Sequence, residues 1–426
     1  MSTTGDHLIE LRRDLHRHPE PAWREFYTTC RIVEELERIG VTDIYVGREA
    51  IDPDERMAVP DSSELVEWFA RAREAGAKED VLDRLDGGYT GCVAVLRQGE
   101  GPTVGLRVDI DGLLREESRA DEHAPVAEGF RSEHEGAMHA CGHDGHATIG
   151  LGVLEAIKES DFEGTLKVFF QPGEEMIAGG RAIAKSSHLA DVDYLLALHL
   201  GLDHPTGEVV AGIDGFLAVA HLHVEFSGEP AHAGAAPNEG ENAVQAMATA
   251  VGNLYAIPRH QDGATRVNAG QVGGGTASNI VPESAYIEAE VRGETTELME
   301  YMRERAERVL HGAAEMHGCE VEIETRGRAP SARSDAQLAE IVSAVAGGVE
   351  GVDSVLDRDT LGGSEDATYL MREVQRNGGY AAYVGIGTDH PGGHHTATFD
   401  VDERSIPIGI DVISGAIREI AATRPE

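Results

Sequence analysis

The sequence predicts an α/β protein: a large domain with a mixed central sheet flanked by helices, interrupted by a smaller α+β domain. Three observations support this. Short apolar runs of strand length alternate with helical segments early in the chain and again near its end. Between them, after Gly207, the pattern changes to longer alternating strands. A chain of 426 residues also exceeds the size at which one hydrophobic core usually stops growing.

The large domain is expected to begin with two helices around a proline-rich turn. Apolar residues recur at helical spacing over 7–39, and His-Pro-Glu-Pro at 18–21 interrupts the pattern. The second helix is expected to end at Gly40. The next segment, at about 45–90, is acidic and charged, with prolines near its start and a helical pattern later. It indicates an insertion or cap.

The central sheet is predicted from apolar runs, with a helix at 146–158 between the second and third run. A helix at 338–345 and a strand at 380–386 return to the same pattern near the C-terminus. The four runs lie at 92–96, 104–108, 166–170 and 194–199.

The smaller domain is predicted from two alternating strands, 217–226 and 284–291, and an alanine-rich helix at 241–257. Because the first pattern returns from Ala336 onwards, the smaller domain is expected to be inserted within the large one. The predicted boundaries are 214–328 for the smaller domain, and 1–213 with 329–426 for the large one.

The charge balance excludes several classes of partner. The chain has 76 acidic and 36 basic residues, a formal net charge of −40, and no dense basic run. Because this field repels phosphate backbones and anionic lipid, we expect neither nucleic acid nor a membrane surface as partner. The plain interpretation is solubility. The alternative is adaptation to high salt, where charges are strongly screened.

The sequence also predicts a cytoplasmic location. Its first residues lack an apolar core of signal-peptide type, and no stretch approaches the roughly 18 apolar residues that a membrane span needs. Four scattered cysteines are too few for a disulfide framework in a chain of this length, which fits a reducing compartment.

The densest chemical signal is Met-His-Ala-Cys-Gly-His-Asp-Gly-His at 138–146. Thiolate and imidazole ligands suit zinc or a related transition ion, and the glycines let the backbone wrap closely around it. A structural or redox role for Cys141 is the alternative, and the neighbouring histidines weigh against it.

A second signal is Gln-Pro-Gly-Glu-Glu at 171–175, where an apolar strand ends in a turn with two adjacent carboxylates. Such strand ends are where α/β folds place their sites. Neighbouring side chains point in different directions, so one carboxylate can bind a metal while the other moves protons. The alternative is a solvated acidic turn.

Two further segments carry histidines. His199 ends the apolar run at 194–199, and Gly-Gly-His-His occupies 392–395. The alternative for His199 is a buried histidine whose ring nitrogens are hydrogen-bonded, and the alternative for 392–395 is a flexible loop. Neither segment indicates a metal site by itself.

Together these motifs resemble, in order and spacing over nearly the whole chain, the aminoacylase and glutamate-carboxypeptidase family of two-metal amidohydrolases. The nearest branch contains hydrolases of auxin conjugates and of N-acyl amino acids. The resemblance implies a metal-dependent hydrolase of N-acyl or N-aroyl amino acids that uses two divalent ions, Mn²⁺ or Zn²⁺, to activate a water. Alternatives are a non-catalytic binding or regulatory subunit of the same fold, and a peptidase or ureido-amidohydrolase.

The resemblance also implies roles for individual residues. Glu174 would be the general base, and Asp109 would lie next to the metal ligands without binding a metal itself. Arg107 replaces the histidine ligand that many relatives have at this position, as an arginine does in the auxin-conjugate branch, and Cys141 would supply the missing ligand. His394 rivals His395, although the spacing to the following phenylalanine and acidic pair favours His395. The implied metal ligands are Cys141, with His143 and His199 for one ion and Glu175 and His395 for the other.

In the smaller domain, His232 lies in Ala-His-Ala-Gly, which resembles the family's lid motif and would stabilise the oxyanion. Asn279 and Arg292 match positions that hold substrate, and a guanidinium fork suits a carboxylate. Alternatively, His232 and Asn279 are turn residues and Arg292 is a surface charge. The resemblance further implies a small N-acyl amino acid substrate and a homodimer or heterodimer formed through the lid domain.

Overall fold

The computed structural model describes residues 3–425. Its α-helices are α1 (Thr3–Arg17), α2 (Phe26–Ile39), α3 (Ser62–Glu74), α4 (Glu79–Leu82), α5 (Ala124–Ala127), α6 (His143–Lys158), α7 (Gly180–Ala184), α8 (Ala243–Leu254), α9 (Thr296–Met316), α10 (Ala336–Ala346), α11 (Ala367–Arg376) and α12 (Ser405–Thr423). None of the helices in this range is long and apolar enough to cross a bilayer.

The strands are β1 (Asp43–Val46), β2 (Cys92–Gln98), β3 (Thr103–Asp109), β4 (Gly164–Gln171), β5 (Tyr194–Leu200), β6 (Glu208–Val210), β7 (Ile213–Asp214), β8 (Ala218–Ser227), β9 (Thr265–Gly274), β10 (Ser284–Gly293), β11 (Glu320–Ala329), β12 (Ser354–Leu356), β13 (Asp359–Thr360) and β14 (Tyr380–Ile386). Each apolar run that predicted the central sheet lies within one of these strands.

The chain divides into two compact units. The first runs to Asp214 and takes up Ala332–Leu361 and the residues from Asp366 onwards. The second comprises Gly215–Ser331 and Gly362–Glu365. The catalytic and lid roles assigned to the two domains remain predictions.

The first unit is built on an eight-stranded sheet in the order β1-β2-β4-β3-β5-β14-β6-β12. Strands β4, β3, β5 and β14 are parallel neighbours, whereas β1, β2 and β6 pair antiparallel. Every residue of β5 is buried, as expected for a parallel strand covered on both faces. The predicted α/β class with a mixed central sheet is confirmed.

Helices pack on this sheet and on each other. Helix α6 contacts β3, β4 and β5 as well as α1 and α12, and α11 contacts β5 and β14. The two predicted N-terminal helices are confirmed as α1 and α2. Gly40 ends α2 in the left-handed region, with φ 71°, and its N–H donates to the Leu36 carbonyl.

Helix α6 begins at His143, three residues earlier than the sequence predicted. Gly142 precedes it with φ 84°, a conformation that glycine adopts readily and that turns the chain into the helix. His143 and His146 therefore lie three residues apart in the first turn and share one side of the helix.

The second unit is an antiparallel sheet in the order β11-β8-β10-β9, packed against α8 and α9. Strand β8 shows how the sequence specifies this arrangement. Its residues at 218, 220, 222, 224 and 226 are buried and apolar, whereas His221, His223 and Glu225 lie on the opposite face. This alternation is that of a sheet with one face covered by helices.

Gly91 packs closely against the start of the turn at 172–175, and Gly76, which also has a positive φ, serves as a comparison. A Cβ on Gly91, at φ 84°, would lie 2.6 Å from Pro172 Cδ and 2.8 Å from the Phe170 carbonyl oxygen. A Cβ on Gly76, at φ 93°, would meet nothing within 4 Å. Both positions disfavour a side chain, and only Gly91 also lacks space for one.

We expect Gly76→Ala to lower the free energy of unfolding by about 1–2 kcal/mol, the penalty of the left-handed region. Gly91→Ala also forces a methyl group against Pro172, and we expect it to lower the free energy of unfolding by about 1–3 kcal/mol more. Urea denaturation of both variants measures the difference. Equal losses would contradict the close approach of Gly91 to Pro172.

Candidate metal centre

The predicted site residues of the first unit meet where the parallel strands end. Asp109 is the last residue of β3, His199 is the last but one of β5, and Glu174 follows the end of β4 by three residues. His143 opens α6 beside them. Because the carboxyl ends of parallel strands share one edge of the sheet, residues far apart in sequence come together there.

One group of potential metal ligands consists of Cys141, His143 and His199. One ligand atom of each lies within 4.8 Å of the others, and all three residues are buried. The Cys141 sulfur is 3.4 Å from His199 Nε2. His199 Nδ1 lies 2.7 Å from the Leu200 carbonyl oxygen, so Nδ1 carries the proton and the lone pair of Nε2 faces the sulfur.

A second group consists of Cys141, Glu175 and His395, which meet the same distance limit. His395 Nε2 lies 3.4 Å from Glu175 Oε2, and the His395 side chain is 58% exposed. Its backbone has φ 59°, an uncommon conformation for a residue with a side chain, and its N–H donates to the Ala140 carbonyl at 2.8 Å. The two groups share Cys141.

His143 Nε2 is a buried nitrogen without a hydrogen-bond partner in the described part of the chain. It lies 3.7 Å from both Asp109 Oδ1 and Glu175 Oε1, beyond hydrogen-bonding distance. A buried polar atom of this kind requires an explanation, and an ion between these atoms would satisfy it. The donor set of thiolate, imidazole and carboxylate fits divalent ions such as zinc or manganese.

Hydrogen bonds distinguish the two C-terminal histidines. The Leu202 N–H donates to His394 Nε2 at 3.0 Å, so the proton of this ring lies on Nδ1. That Nδ1 faces the Cys141 sulfur at 3.5 Å and is a donor to it, not a ligand for a metal. The geometry therefore favours His395 over His394 as the ligand.

His146 is occupied in the same way. Its Nε2 accepts the Leu200 N–H at 2.8 Å, and its Nδ1 donates to Asp109 Oδ1. Both ring nitrogens are therefore used by protein groups. His146 was not assigned a role from the sequence, although it belongs to the motif at 138–146.

Asp109 lies beside the Arg107 guanidinium and two histidine rings, those of His143 and His146. Arg107 Nη1 donates to its Oδ2 at 2.6 Å, and Arg107 also binds Gln171 Oε1 at 2.9 Å and Asp366 Oδ1 at 3.2 Å. Burial alone would raise the pKa of Asp109, but His143, Arg107 and His146 hold it well below its usual range. Asp109 is thus a fully buried carboxylate that carries its charge.

The turn that carries Glu174 and Glu175 is held by carboxylates that sequence reasoning missed. The N–H groups of Glu174 and Glu175 donate to Asp111, at 3.1 and 3.0 Å. The Gly173 N–H donates to Glu25 Oε1 at 2.8 Å. For Asp111 a signal existed, because it repeats the carboxylate of Asp109 two residues on, just past the strand.

The predicted residues of the second unit lie on its surface or near it. His232 is exposed, and its Nδ1 accepts the N–H groups of Gly234 and Ala235 at 3.1 Å each, which leaves the proton on Nε2. Asn279 is also exposed, and its main-chain carbonyl accepts the Ala233 N–H at 3.0 Å.

Arg292 already has protein partners. Its Nε and Nη2 donate to the two oxygens of Glu290, each at 3.0 Å, and its Nη1 donates to Ser364 Oγ at 3.3 Å. A substrate carboxylate would therefore have to compete for this guanidinium or bind at its Nη1 side.

The family of the chain follows from comparison with known proteins. Residues 105–419 match the model of Peptidase family M20/M25/M40. The chain belongs to this family. The family predicted from the motifs is therefore confirmed, and with it the predicted class of enzyme, a hydrolase of linear amide bonds.

Two curated relatives match over nearly their whole length. The chain is 42% identical to indole-3-acetyl-aspartic acid hydrolase of Enterobacter agglomerans, covering 96% of this chain and 94% of the relative. It is 40% identical to a subunit of p-aminobenzoyl-glutamate hydrolase of Escherichia coli (strain K12), covering 98% and 96%. Both relatives belong to the branch that the motifs resemble, and that resemblance is confirmed.

A solved structure shares the fold. The aminobenzoyl-glutamate utilization protein from Klebsiella pneumoniae superposes with a TM-score of 0.85 at 35% identity, covering 99% of this chain and 97% of that chain.

The buried guanidinium of Arg107 provides a test of the charges in this centre. Arg107→Met leaves Asp109 and Asp366 buried without their cation, and we expect it to lower the free energy of unfolding by about 3–5 kcal/mol. The matched control is Arg97→Met, which breaks an ion pair with Asp43 whose partners are 49% and 41% exposed. That change is expected to lose less than about 1 kcal/mol. Chemical denaturation measures both, and a similar loss in the two variants would contradict the proposed role of Arg107.

Proposed function

We propose that the protein hydrolyses the amide bond of N-acyl or N-aroyl amino acids, with p-aminobenzoyl-glutamate, which would give p-aminobenzoate and glutamate, as the first substrate to test. One observation carries the proposal. Two groups of potential metal ligands share Cys141, and Glu174 lies buried next to them with Oε2 4.0 Å from His143 Nε2. Glu174 belongs to neither of these two groups, although it forms another with His143 and Glu175. The names of the two curated relatives support this class of substrate.

In this proposal the centre holds two divalent ions, Mn²⁺ or Zn²⁺. Cys141 would contribute to both, with His143 and His199 for one and Glu175 and His395 for the other. When bound, such ions supply an acidified water, with a pKa of about 7, and polarise the carbonyl of the amide. His394 would donate to the Cys141 sulfur and so favour its thiolate form.

Glu174 is the proposed general base. An amide has a poor leaving group, so a proton must move from the attacking water to the departing nitrogen. Glu174 would accept the first proton and deliver it to the amine. Asp109 would keep a negative charge beside His143 and hold His146 in place through the bond to its Nδ1.

The second unit would contribute the groups that recognise substrate. His232 Nε2 carries a proton and would donate to the oxyanion, which for one such donor is worth about 3 kcal/mol. Asn279 and Arg292 would hold the substrate, Arg292 through the edge that now binds Ser364.

Two alternatives remain for testing. A non-catalytic subunit of the same fold would bind ligand without turnover, and the buried Glu174 beside the ligand groups favours an enzyme over it. A peptidase or a ureido-amidohydrolase would share the same centre. A panel of N-acyl amino acids, dipeptides and ureido acids separates these activities, because only the first class should be hydrolysed.

We further propose a dimer formed through the second unit, with a second copy or an unlike chain, and a cytoplasmic location. An unlike partner is suggested by the Escherichia coli relative, whose name describes it as one subunit of its hydrolase. The four cysteines are buried and form no disulfide in the described residues, which is compatible with a reducing compartment.

Substitution of Glu174 and Cys141 tests the chemistry. Glu174→Gln should keep metal and fold but lower kcat by about 10²–10⁴-fold, because the amide cannot accept the proton. Cys141→Ala should lose metal, and Cys92→Ala, at another buried cysteine, is the matched control. Elemental analysis and hydrolysis of p-aminobenzoyl-glutamate are the measurements. Wild-type turnover by Glu174→Gln would rule out the proposed base.

The acidic composition leads us to propose adaptation to high salt. With a formal net charge of −40, repulsion between carboxylates is expected to lower the melting temperature as KCl is removed. Thermal unfolding at a series of KCl concentrations measures this. Full stability in salt-free buffer would leave solubility as the sufficient explanation.

A further inference from the structure

We infer that Asp111 is a positioning residue that fixes the general base and one metal ligand at the same time. The inference rests on the proposed function, because it concerns the roles given there to His143 and Glu174. It is drawn from the contacts of one buried carboxylate that lies outside both ligand groups.

Asp111 is held firmly in place. It is 1% exposed and follows the end of β3 by two residues. On one side the Ile110 N–H donates to the Gln171 carbonyl at 3.1 Å, and on the other the Gly112 N–H donates to the Glu20 carbonyl at 2.8 Å. With its backbone bonded on both sides, the carboxylate has little freedom to move away from its partners.

Three N–H groups converge on this carboxylate. Oδ1 accepts from the Glu174 backbone at 3.1 Å and from His143 Nδ1 at 3.3 Å, and Oδ2 accepts from the Glu175 backbone at 3.0 Å. A carboxylate only accepts hydrogen bonds, so His143 must carry its proton on Nδ1. All three partners are therefore donors, and each requires an oxygen that accepts.

The bond to His143 determines which nitrogen is available for a metal. With the proton on Nδ1, the lone pair of His143 lies on Nε2, the buried atom that has no hydrogen-bond partner among the described residues. A carboxylate behind a metal-binding histidine orients the ring and raises its basicity. Asp111 has this position relative to His143.

The bonds to the turn set the direction of two neighbouring side chains. Because one carboxylate binds the consecutive N–H groups of Glu174 and Glu175, the peptide between them cannot rotate without breaking a bond. Both side chains thereby reach His143: Glu175 Oε1 lies 3.7 Å and Glu174 Oε2 4.0 Å from its Nε2. Glu175 also belongs to the group with Cys141 and His395. A displacement of about 1 Å in a catalytic group can lower the rate by about 10²-fold.

Glu25 supplies a matched control on the same turn. Its Oε1 accepts the Gly173 N–H at 2.8 Å, and its Oε2 accepts the Thr90 hydroxyl at 2.6 Å. A hydroxyl can accept as well as donate, so a glutamine at this position satisfies both partners with its oxygen towards Gly173. An asparagine at 111 cannot do so, because its NH₂ group would face an N–H in either orientation.

The experiment compares Asp111→Asn with Glu25→Gln in the full chain loaded with Mn²⁺ or Zn²⁺. We expect Asp111→Asn to weaken metal binding by about 10–100-fold, the usual effect of removing a group that supports a metal ligand. At saturating metal its kcat on p-aminobenzoyl-glutamate should fall by about 10²-fold with little change in KM, because the base is displaced and not the substrate. Glu25→Gln should stay within about threefold of the wild type in both quantities, since its hydrogen bonds are kept.

Two readouts separate positioning from general destabilisation. Metal affinity is measured by competition with a chelator, and the visible absorption spectrum of the Co²⁺-substituted protein reports on the ligand geometry. We expect a changed spectrum for Asp111→Asn and an unchanged one for Glu25→Gln. Metal affinity, spectrum and kcat of Asp111→Asn that match those of Glu25→Gln would overturn the inference.

Asp111→Glu keeps the test valid if Asp111→Asn does not fold. It retains two accepting oxygens but moves them by one methylene, so metal affinity should be nearly kept while kcat falls at least about tenfold. Wild-type kcat in Asp111→Glu would overturn the inference. Failure of the proposed function looks different, because the wild type itself would then bind no divalent ion or hydrolyse no N-acyl amino acid, and both proposals would fall together.

Discussion

Negative charge concentrated in a small buried volume is the constraint on which this structure depends. Asp109, Asp111 and Glu174 are all buried at one edge of the sheet. Carboxylates leave water at a high cost in free energy unless cations or N–H donors face them. Arg107 faces Asp109, the backbone of the turn faces Asp111, and the proposed ions would face the remainder. The positions of the strand ends, of α6 and of the glycines around the turn all serve to bring these donors to the carboxylates.

Much of the fold and part of the site were predictable because their signals are local. The strands of the central sheet are continuous apolar runs, and the motif at 138–146 and the turn at 171–175 combine chemistry and position within a few residues. In contrast, α9, β9 and β11 were not predicted. The buried face of α9 consists largely of alanine and methionine set among many charges. The first six residues of β11 alternate between exposed and half-buried, and its two buried residues are Gly327 and Ala329, so neither element shows strong apolar periodicity.

The remaining site features depend on contacts that no local pattern encodes. Glu25 holds the N–H of Gly173, 148 residues away, and a lone glutamate in a helix-turn segment gives no sign of this. Similarly, the choice between His394 and His395 depends on the N–H of Leu202, which lies 192 residues before His394. Sequence spacing favoured His395, but only the three-dimensional arrangement gives His394 a separate task, as a donor to the sulfur of Cys141.

The orientation of three histidines in this centre is set by main-chain atoms. The carbonyl of Leu200 binds His199, its N–H binds His146, and the N–H of Leu202 binds His394. Alanine scanning leaves all of these main-chain atoms in place, so it would report only the packing of the Leu200 and Leu202 side chains. Replacing an amide by an ester, or introducing proline, is the kind of chemical change that would reveal them.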